Sequence, residues 1–368
     1  MAGLCFLFFL LIPFSYMSLL GVRIIALQVL AGFAWLVIKF YKKRKLSFYF
    51  DIDLAVLLVL CAVVGGYAFH VDYFNEFFAI ATFILLLFLT VQFGPDLINT
   101  ALGFYRLSVL FVAVGLVGQY LLHILSDVVV FNYELFGGGR NAYGFIWNDY
   151  SFLSLYIASS IPLFYNGRYN LQFISILLFL LIASIITSAR TGPVAFLLFI
   201  VLYIFYFLFQ AFATGKLKRK FFIVGTSIFF VIPALFFSIM LLTGREVTFS
   251  SSGRVEDFVI GYRYFLDDPM FGFYFDRANY NAAVSIVPHN VFIYFLYMGG
   301  LLAFAVFVCW LVSVSFVLRL SDKRIVAALV ICLIGFQFIP SFFSAYYVAI
   351  LVGLSVLSSR KYAVERNL

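Results

Sequence analysis

The chain has 368 residues, of which 65% are hydrophobic and 11% charged, with a mean hydropathy of +1.12. Those values exclude a water-soluble globule of this size and leave no room for a large soluble domain. A net charge of +8 and a pI of 9.2 would suit a nucleic-acid binder, but the cations lie in short clusters between apolar stretches, where they read as topology signals.

A helix needs about 20 apolar residues to cross a bilayer. Twelve such spans fit, at residues 4–20, 22–38, 54–70, 77–93, 102–125, 143–165, 170–187, 193–213, 221–242, 289–317, 324–339 and 342–357. Residues 1–368 therefore read as a single integral membrane domain, an all-α polytopic membrane helix bundle of about 12 transmembrane helices. No Lys or Arg precedes the first stretch, so it reads as a retained helix and not a signal peptide. The last two spans form either a pair or one long helix kinked at Pro340 and Ser341.

With both termini in the cytoplasm, every basic cluster falls inside: Lys42 to Lys45, Lys216 to Lys220, Arg319 to Arg324, and Arg360-Lys361. Two longer segments remain outside. One runs from Ser126 to Asn141 and ends Phe-Gly-Gly-Gly-Arg-Asn. The other is residues 243–288, a large loop between the ninth and tenth spans. In it, Ser250 to Ser252 can cap a helix starting near Gly253. Val255, Phe258, Val259, Tyr262, Phe265 and Leu266 would share the apolar face of that short amphipathic helix, which Asp267-Asp268-Pro269 would end.

Cys5, Cys61, Cys309 and Cys332 fall inside spans at unrelated spacings, so neither a disulfide framework nor a zinc site is expected. His70, His123 and His289 lie at outer span ends without metal-ligand spacing. There is no phosphate loop, dinucleotide fingerprint or G-x-S-x-G elbow. No cofactor and no metal is expected.

The cations sort unevenly. Under this topology nine Lys and eight Arg face the cytoplasm, while the seven outer cations (Arg23, Arg140, Arg190, Arg245, Arg254, Arg263 and Arg277) are all arginine. The positive-inside rule counts both types together and does not predict that. A guanidinium fork grips phosphate oxygens in pairs and keeps its charge when desolvated. The outer face thus suggests a phosphorylated or carboxylated ligand, with surface salt bridging as the alternative.

Arg190 sits in the turn Thr187 to Pro193 with no acidic neighbour in sequence, beside a helix start whose amides attract anions. Arg140 follows three glycines and precedes Asn141, and Arg254 opens the loop helix. Arg263 has Asp267 four residues on and Arg277 follows Asp276, so local pairing competes with ligand binding at both. Arg23 and Arg245 read as structural. His289 opens the tenth span, with Asn290 behind it and Gly299-Gly300 further along. A titratable group is costly near hydrocarbon, which makes His289 a functional candidate; a histidine that only anchors its helix is the alternative.

Together these residues resemble the O-antigen polymerase and O-antigen ligase superfamily over the C-terminal two-thirds. The resemblance rests on Gly139-Arg140-Asn141 with Asn148, Ser188 to Thr191, Ser252-Gly253-Arg254 with Asp268 to Gly272, and His289-Asn290 with Gly300. It implies a membrane glycosyltransferase of the GT-C type in the bacterial inner membrane, working on the periplasmic side without nucleotide sugar or metal. Its partners would be undecaprenyl-diphosphate-linked oligosaccharide as donor and acceptor, the lipid bilayer and a chain-length regulator protein, with no nucleic acid. Gly300 is followed three residues on by Ala303, an approximate form of the ligase pattern, which favours polymerase over ligase. The resemblance implies His289 as base, Arg190 and Arg254 as catalytic cations, and Arg140, Asn141, Asn290, Arg263 and Arg277 as ligands of diphosphate or glycan. A flippase or transporter for lipid-linked sugars is the rival of another class.

Overall fold

The computed structural model describes residues 2–19, 22–43, 51–136, 140–214, 254–284 and 286–366. The expected ninth span, Arg245 and the Ser250 to Gly253 cap lie outside them. Among the described residues the protein is mostly helical, with two small antiparallel ladders, and six helices are long and apolar enough to cross a membrane. The chain forms two compact units.

The first unit comprises Met1–Ser108, Ser250–Leu329 and Phe336–Leu368. It holds α1 (Ala2–Leu10), β1 (Ser18–Leu19), β2 (Val22–Arg23), α2 (Ile24–Lys43), α3 (Ile52–Val71), α4 (Asn75–Gln92) and the start of α5 (Ile98–Ser126). The second unit comprises Val109–Phe249 and Val330–Gly335. It holds the rest of α5, β3 (Asn132–Phe136), β4 (Arg140–Phe145), α6 (Tyr150–Ser160), α7 (Leu171–Ile186) and α8 (Thr191–Ala213). The chain then returns to the first unit with α9 (Arg254–Asp267), α10 (Arg277–Ala283) and α11 (Val291–Leu318). α12 (Lys323–Gly335) has its residues to Leu329 in the first unit and Val330–Gly335 in the second, and α13 (Tyr346–Arg366) belongs to the first unit.

The expected first span is interrupted. Pro13 has no N–H and its ring clashes with the preceding turn, so α1 stops at Leu10 and a 3₁₀ turn, Ile12–Phe14, follows. The remainder pairs as the β1–β2 ladder, Ser18 opposite Arg23. Buried polar bonds replace what the lost helix would have supplied: Ser15 Oγ donates to Gln28 Oε1 at 2.8 Å and Gln28 Nε2 to the Phe8 carbonyl at 3.0 Å.

The sixth span also starts later than its hydropathy suggests. Residues 140–145 form strand β4, paired antiparallel with β3 from Asn132↔Phe145 to Phe136↔Arg140. Helix begins only after Asp149, whose carboxylate accepts the amides of Ser151 (2.8 Å) and Phe152 (3.0 Å). The last two spans are separate helices, with Phe336–Ala345 between α12 and α13.

The first unit's core lies where α3 meets α11 and α4 meets α13. Phe295 and Phe307 stack at 4.3 Å, and Phe83, Trp310, Phe342 and Phe343 close around them, all buried. α13 approaches α4 through Gly353, where a Cβ would sit 2.6 Å from Thr90 Cβ. In the second unit α6 packs on α8 and α7, and Trp147 stacks on Tyr156 at 5.4 Å.

Gly353 yields a signed test. Gly353→Ala should lower the Tm of the detergent-purified protein, since overpacking costs about 1–3 kcal/mol. Gly66, also helical but with nothing within 4 Å of a built Cβ, should tolerate Ala with an unchanged or raised Tm. Equal effects at the two sites would refute the close α4–α13 contact.

Candidate functional site

α11 is broken at Gly300, and the break organises the first unit. Gly300 has φ 63° and ψ −172°, a region essentially restricted to glycine. In a continuous helix the amides of Leu301 and Leu302 would bond the carbonyls of Tyr297 and Met298. Here all four groups turn instead to the segment Asp268–Asp276. Leu301 N donates to Pro269 O (2.9 Å) and Leu302 N to Met270 O (3.2 Å). Phe273 N donates to Tyr297 O (3.1 Å) and Phe275 N to Met298 O (2.6 Å). Two helical bonds are thus exchanged for four between segments.

Gly272, at φ 62°, lies against the Tyr297 carbonyl, and a Cβ at Gly300 would collide with Met270 O. The sequence signature Asp268 to Gly272 and the pair Gly299-Gly300 are therefore two halves of one junction. Gly299, Gly300 and Phe275 are buried, as backbone away from regular helix must be at membrane depth.

The junction holds the start of α11 and its flanking elements at one rim. Asn290 caps α11, accepting the amides of Phe292 (3.0 Å) and Ile293 (3.1 Å), while its Nδ2 donates to Gln337 Oε1 at 2.9 Å. Val291 N donates to Phe336 O at 2.9 Å. His289 is half-buried, with Nδ1 at 3.4 Å from the Phe338 carbonyl. The carboxamide of Asn290, a candidate ligand of diphosphate or glycan, also serves the cap and Gln337. It positions His289's end of the helix.

One turn further on lies a residue that the sequence reading missed. Glu76 is buried in the first turn of α4, and its carboxylate accepts the hydroxyl proton of buried Tyr294 on α11. Arg277, at the start of α10, is within electrostatic reach of both. The Asp276 carboxylate caps α10, accepting from the Ala278 and Asn279 amides at 3.1 Å and from Asn279 Nδ2 at 2.7 Å. Among the described residues the expected Asp276–Arg277 ion pair is not formed: the carboxylate goes to the helix start, and the exposed cation lies within electrostatic reach of Glu76. The only hint in sequence was an acidic residue just inside an apolar span, where a buried charge requires a partner.

Of the other expected residues, Arg263 is exposed on α9, and among the described residues no ion pair joins it to Asp267. Arg254 begins α9. Only one stripe of that helix packs inward. Phe265 stacks on Tyr297 at 5.9 Å and Tyr297 Oη donates to Phe258 O at 3.0 Å, whereas Val259, Tyr262 and Leu266 stay exposed. Partial burial, then the Asp268 carboxylate, push the Tyr274 phenol above its ordinary range. Its ring lies parallel to Phe271 and 4.9 Å from that of His70, which ends α3.

Arg190, Arg140 and Asn141 belong to the second unit. Arg190 is half-buried at the start of α8, its carbonyl accepting Val194 N at 3.0 Å. The Gly192 amide donates to Ser154 Oγ at 3.1 Å and Pro193 has no amide, so this helix start offers an anion fewer donors than its sequence suggested. The backbone of Arg140 opens β4. Asn141 Oδ1 accepts the Tyr133 hydroxyl at 2.6 Å, and His123 Nδ1 lies 2.6 Å from Tyr143 Oη. Among the described residues no three His, Cys, Asp or Glu side chains gather as a metal site. No family model matches this chain, and no curated protein matches it.

The junction makes its own prediction. Gly300→Ala should cost about 1–3 kcal/mol in backbone strain alone and should undock Asp268–Asp276. Hydrogen–deuterium exchange would report it as faster exchange of the Phe273 and Phe275 amides; unchanged protection there would refute the exchange of bonds.

Proposed function

We propose that this protein is an O-antigen polymerase of the bacterial inner membrane. It would join undecaprenyl-diphosphate-linked oligosaccharide repeat units on the periplasmic face. In this reading about twelve spans cross the bilayer, both termini are cytoplasmic, and residues 243–288 form the large periplasmic loop. The observation that carries the reading is the rim of the first unit. There a half-buried imidazole opens α11 and a buried carboxylate–phenol pair, with Arg277 within electrostatic reach, follows one turn on, in a helix whose break is fastened by main-chain bonds to the loop Asp268–Asp276.

The chemistry follows from those groups. An acceptor hydroxyl oxygen attacks the anomeric carbon of the donor glycan as its proton passes to the His289 imidazole. The bond from that carbon to the phosphate oxygen breaks, and undecaprenyl diphosphate leaves with the electron pair. Direct attack inverts the anomeric configuration. Arg190 and Arg254, assisted by Arg140, stabilise the charge growing on the diphosphate, where one lost donor costs about 10²–10³ in rate. Arg277, Arg263, Asn141 and Asn290 serve the glycan or diphosphate, and Asn290 also holds the histidine's end of α11.

One observation favours a second reading. Transporters bind substrate at discontinuous helices, and α11 is discontinuous at Gly300. Against transport, Glu76 and Tyr294 lie in the first turns of their helices and not at mid-span.

Gene deletion separates the readings. Loss of a polymerase leaves lipid A core capped by one repeat on a lipopolysaccharide gel. Loss of a ligase leaves bare core with lipid-linked polymer outside, and loss of a flippase leaves bare core with repeat units trapped on the cytoplasmic side. In the complemented strain, His289→Ala should abolish the polymer ladder; near-normal chain lengths would eliminate it as base. Arg190→Lys should be nearly as damaging as Arg190→Ala, because a point charge does not replace a two-pronged grip. A fully active lysine variant would remove that role.

A further inference from the structure

At the other end of the first unit's helices is a charged cluster that the proposed reaction does not use. It gathers α5, the turn before α12 and the C-terminal part of α13. Asp322 is held there from several sides. Its Oδ1 accepts Arg324 N at 2.8 Å and Arg324 Nε at 3.1 Å, and its Oδ2 accepts Arg324 Nη2 at 2.5 Å. The Asp322 amide donates to Ser358 Oγ at 2.8 Å. The neighbouring carboxylate, Asp51, is paired with Arg360.

Arg106, on α5, lies within electrostatic reach of both Arg324 and Asp322. Its Nε is buried and has no hydrogen-bond partner. Two guanidiniums therefore share one carboxylate whose oxygens are already engaged by Arg324. Among the described residues, that leaves the cluster one carboxylate fewer than its guanidiniums.

Position favours a particular source of a further anion. Arg106 is the ninth residue of α5, about 12 Å along the helix axis from its start. A long cationic side chain at that depth reaches back toward the headgroup layer, where the anion on offer is a lipid phosphate. Its planar fork suits paired phosphate oxygens, and Lys323 stands exposed beside the site to add long-range attraction.

We propose that Arg106 and Arg324 form a binding site for the phosphate of an anionic phospholipid, at the rim opposite His289. The site is independent of the glycosyltransferase reading.

The test uses the full-length protein in nanodiscs of phosphatidylcholine, with or without phosphatidylglycerol, and native mass spectrometry to measure retained lipid. The wild type should retain phosphatidylglycerol in preference to phosphatidylcholine. Arg106→Gln should weaken that retention by roughly tenfold or more, as loss of a charge-assisted bond requires. Arg106→Lys should restore only part of it.

Asp322→Asn supplies a variant of opposite sign, and one that decides the matter should Arg106→Gln not fold. Asparagine still caps α12, but the negative charge that Arg106 and Arg324 share is gone, so phosphatidylglycerol should bind more tightly. Lipid selectivity unchanged in both variants overturns the site. Occupancy by inorganic phosphate, with no preference between the two lipids, overturns the assignment to a lipid.

Discussion

The exchange of main-chain hydrogen bonds at Gly300 is the constraint on which the rest of the first unit depends. A peptide group inside a bilayer cannot turn to water, so a broken membrane helix survives only where other protein satisfies its freed amides and carbonyls. The segment Asp268–Asp276 does so with complementary groups in the right order, two donors facing two carbonyls and two carbonyls facing two donors. The loop and the helix are consequently one structural element. The aromatic pair Phe271 and Tyr274 takes its position from that seam, and α10 with Arg277 follows directly from it.

The buried Glu76–Tyr294 pair illustrates a second constraint. A carboxylate among membrane helices is tolerated when it has a hydrogen-bond donor and a cation nearby, and Tyr294 and Arg277 supply them from two different segments. The pair ties α4 to the upper half of the broken helix. It thus lends rigidity where the seam alone would fix only the lower end of that half.

Hydropathy made the helical class and most helix positions readable, because crossing a bilayer requires long apolar runs. Its failures were local and have physical reasons. It runs straight through Pro13, whose missing N–H stops α1, and it scores residues 143–145 as span although they belong to strand β4, before the Asp149 cap. The glycines and the Asp268 to Gly272 segment were visible as separate signals, but their union was not. Main-chain bonds between residues 23 to 32 apart leave no trace in side-chain identity. Neighbour-based pairing likewise misassigned Asp276, since a carboxylate one residue before a helix gains more from two free amides than from the adjacent guanidinium.

A seam stitched from backbone atoms is indifferent to most of the side chains it carries. Met270, Phe271 and Tyr274 stand at or near the surface while their peptide groups do the fastening. Over evolutionary time such a rim can exchange its outward chemistry residue by residue, provided that its two glycines persist. The cost of that freedom falls on sequence comparison, for an architecture remembered by peptide groups can outlast any recognisable spelling of it.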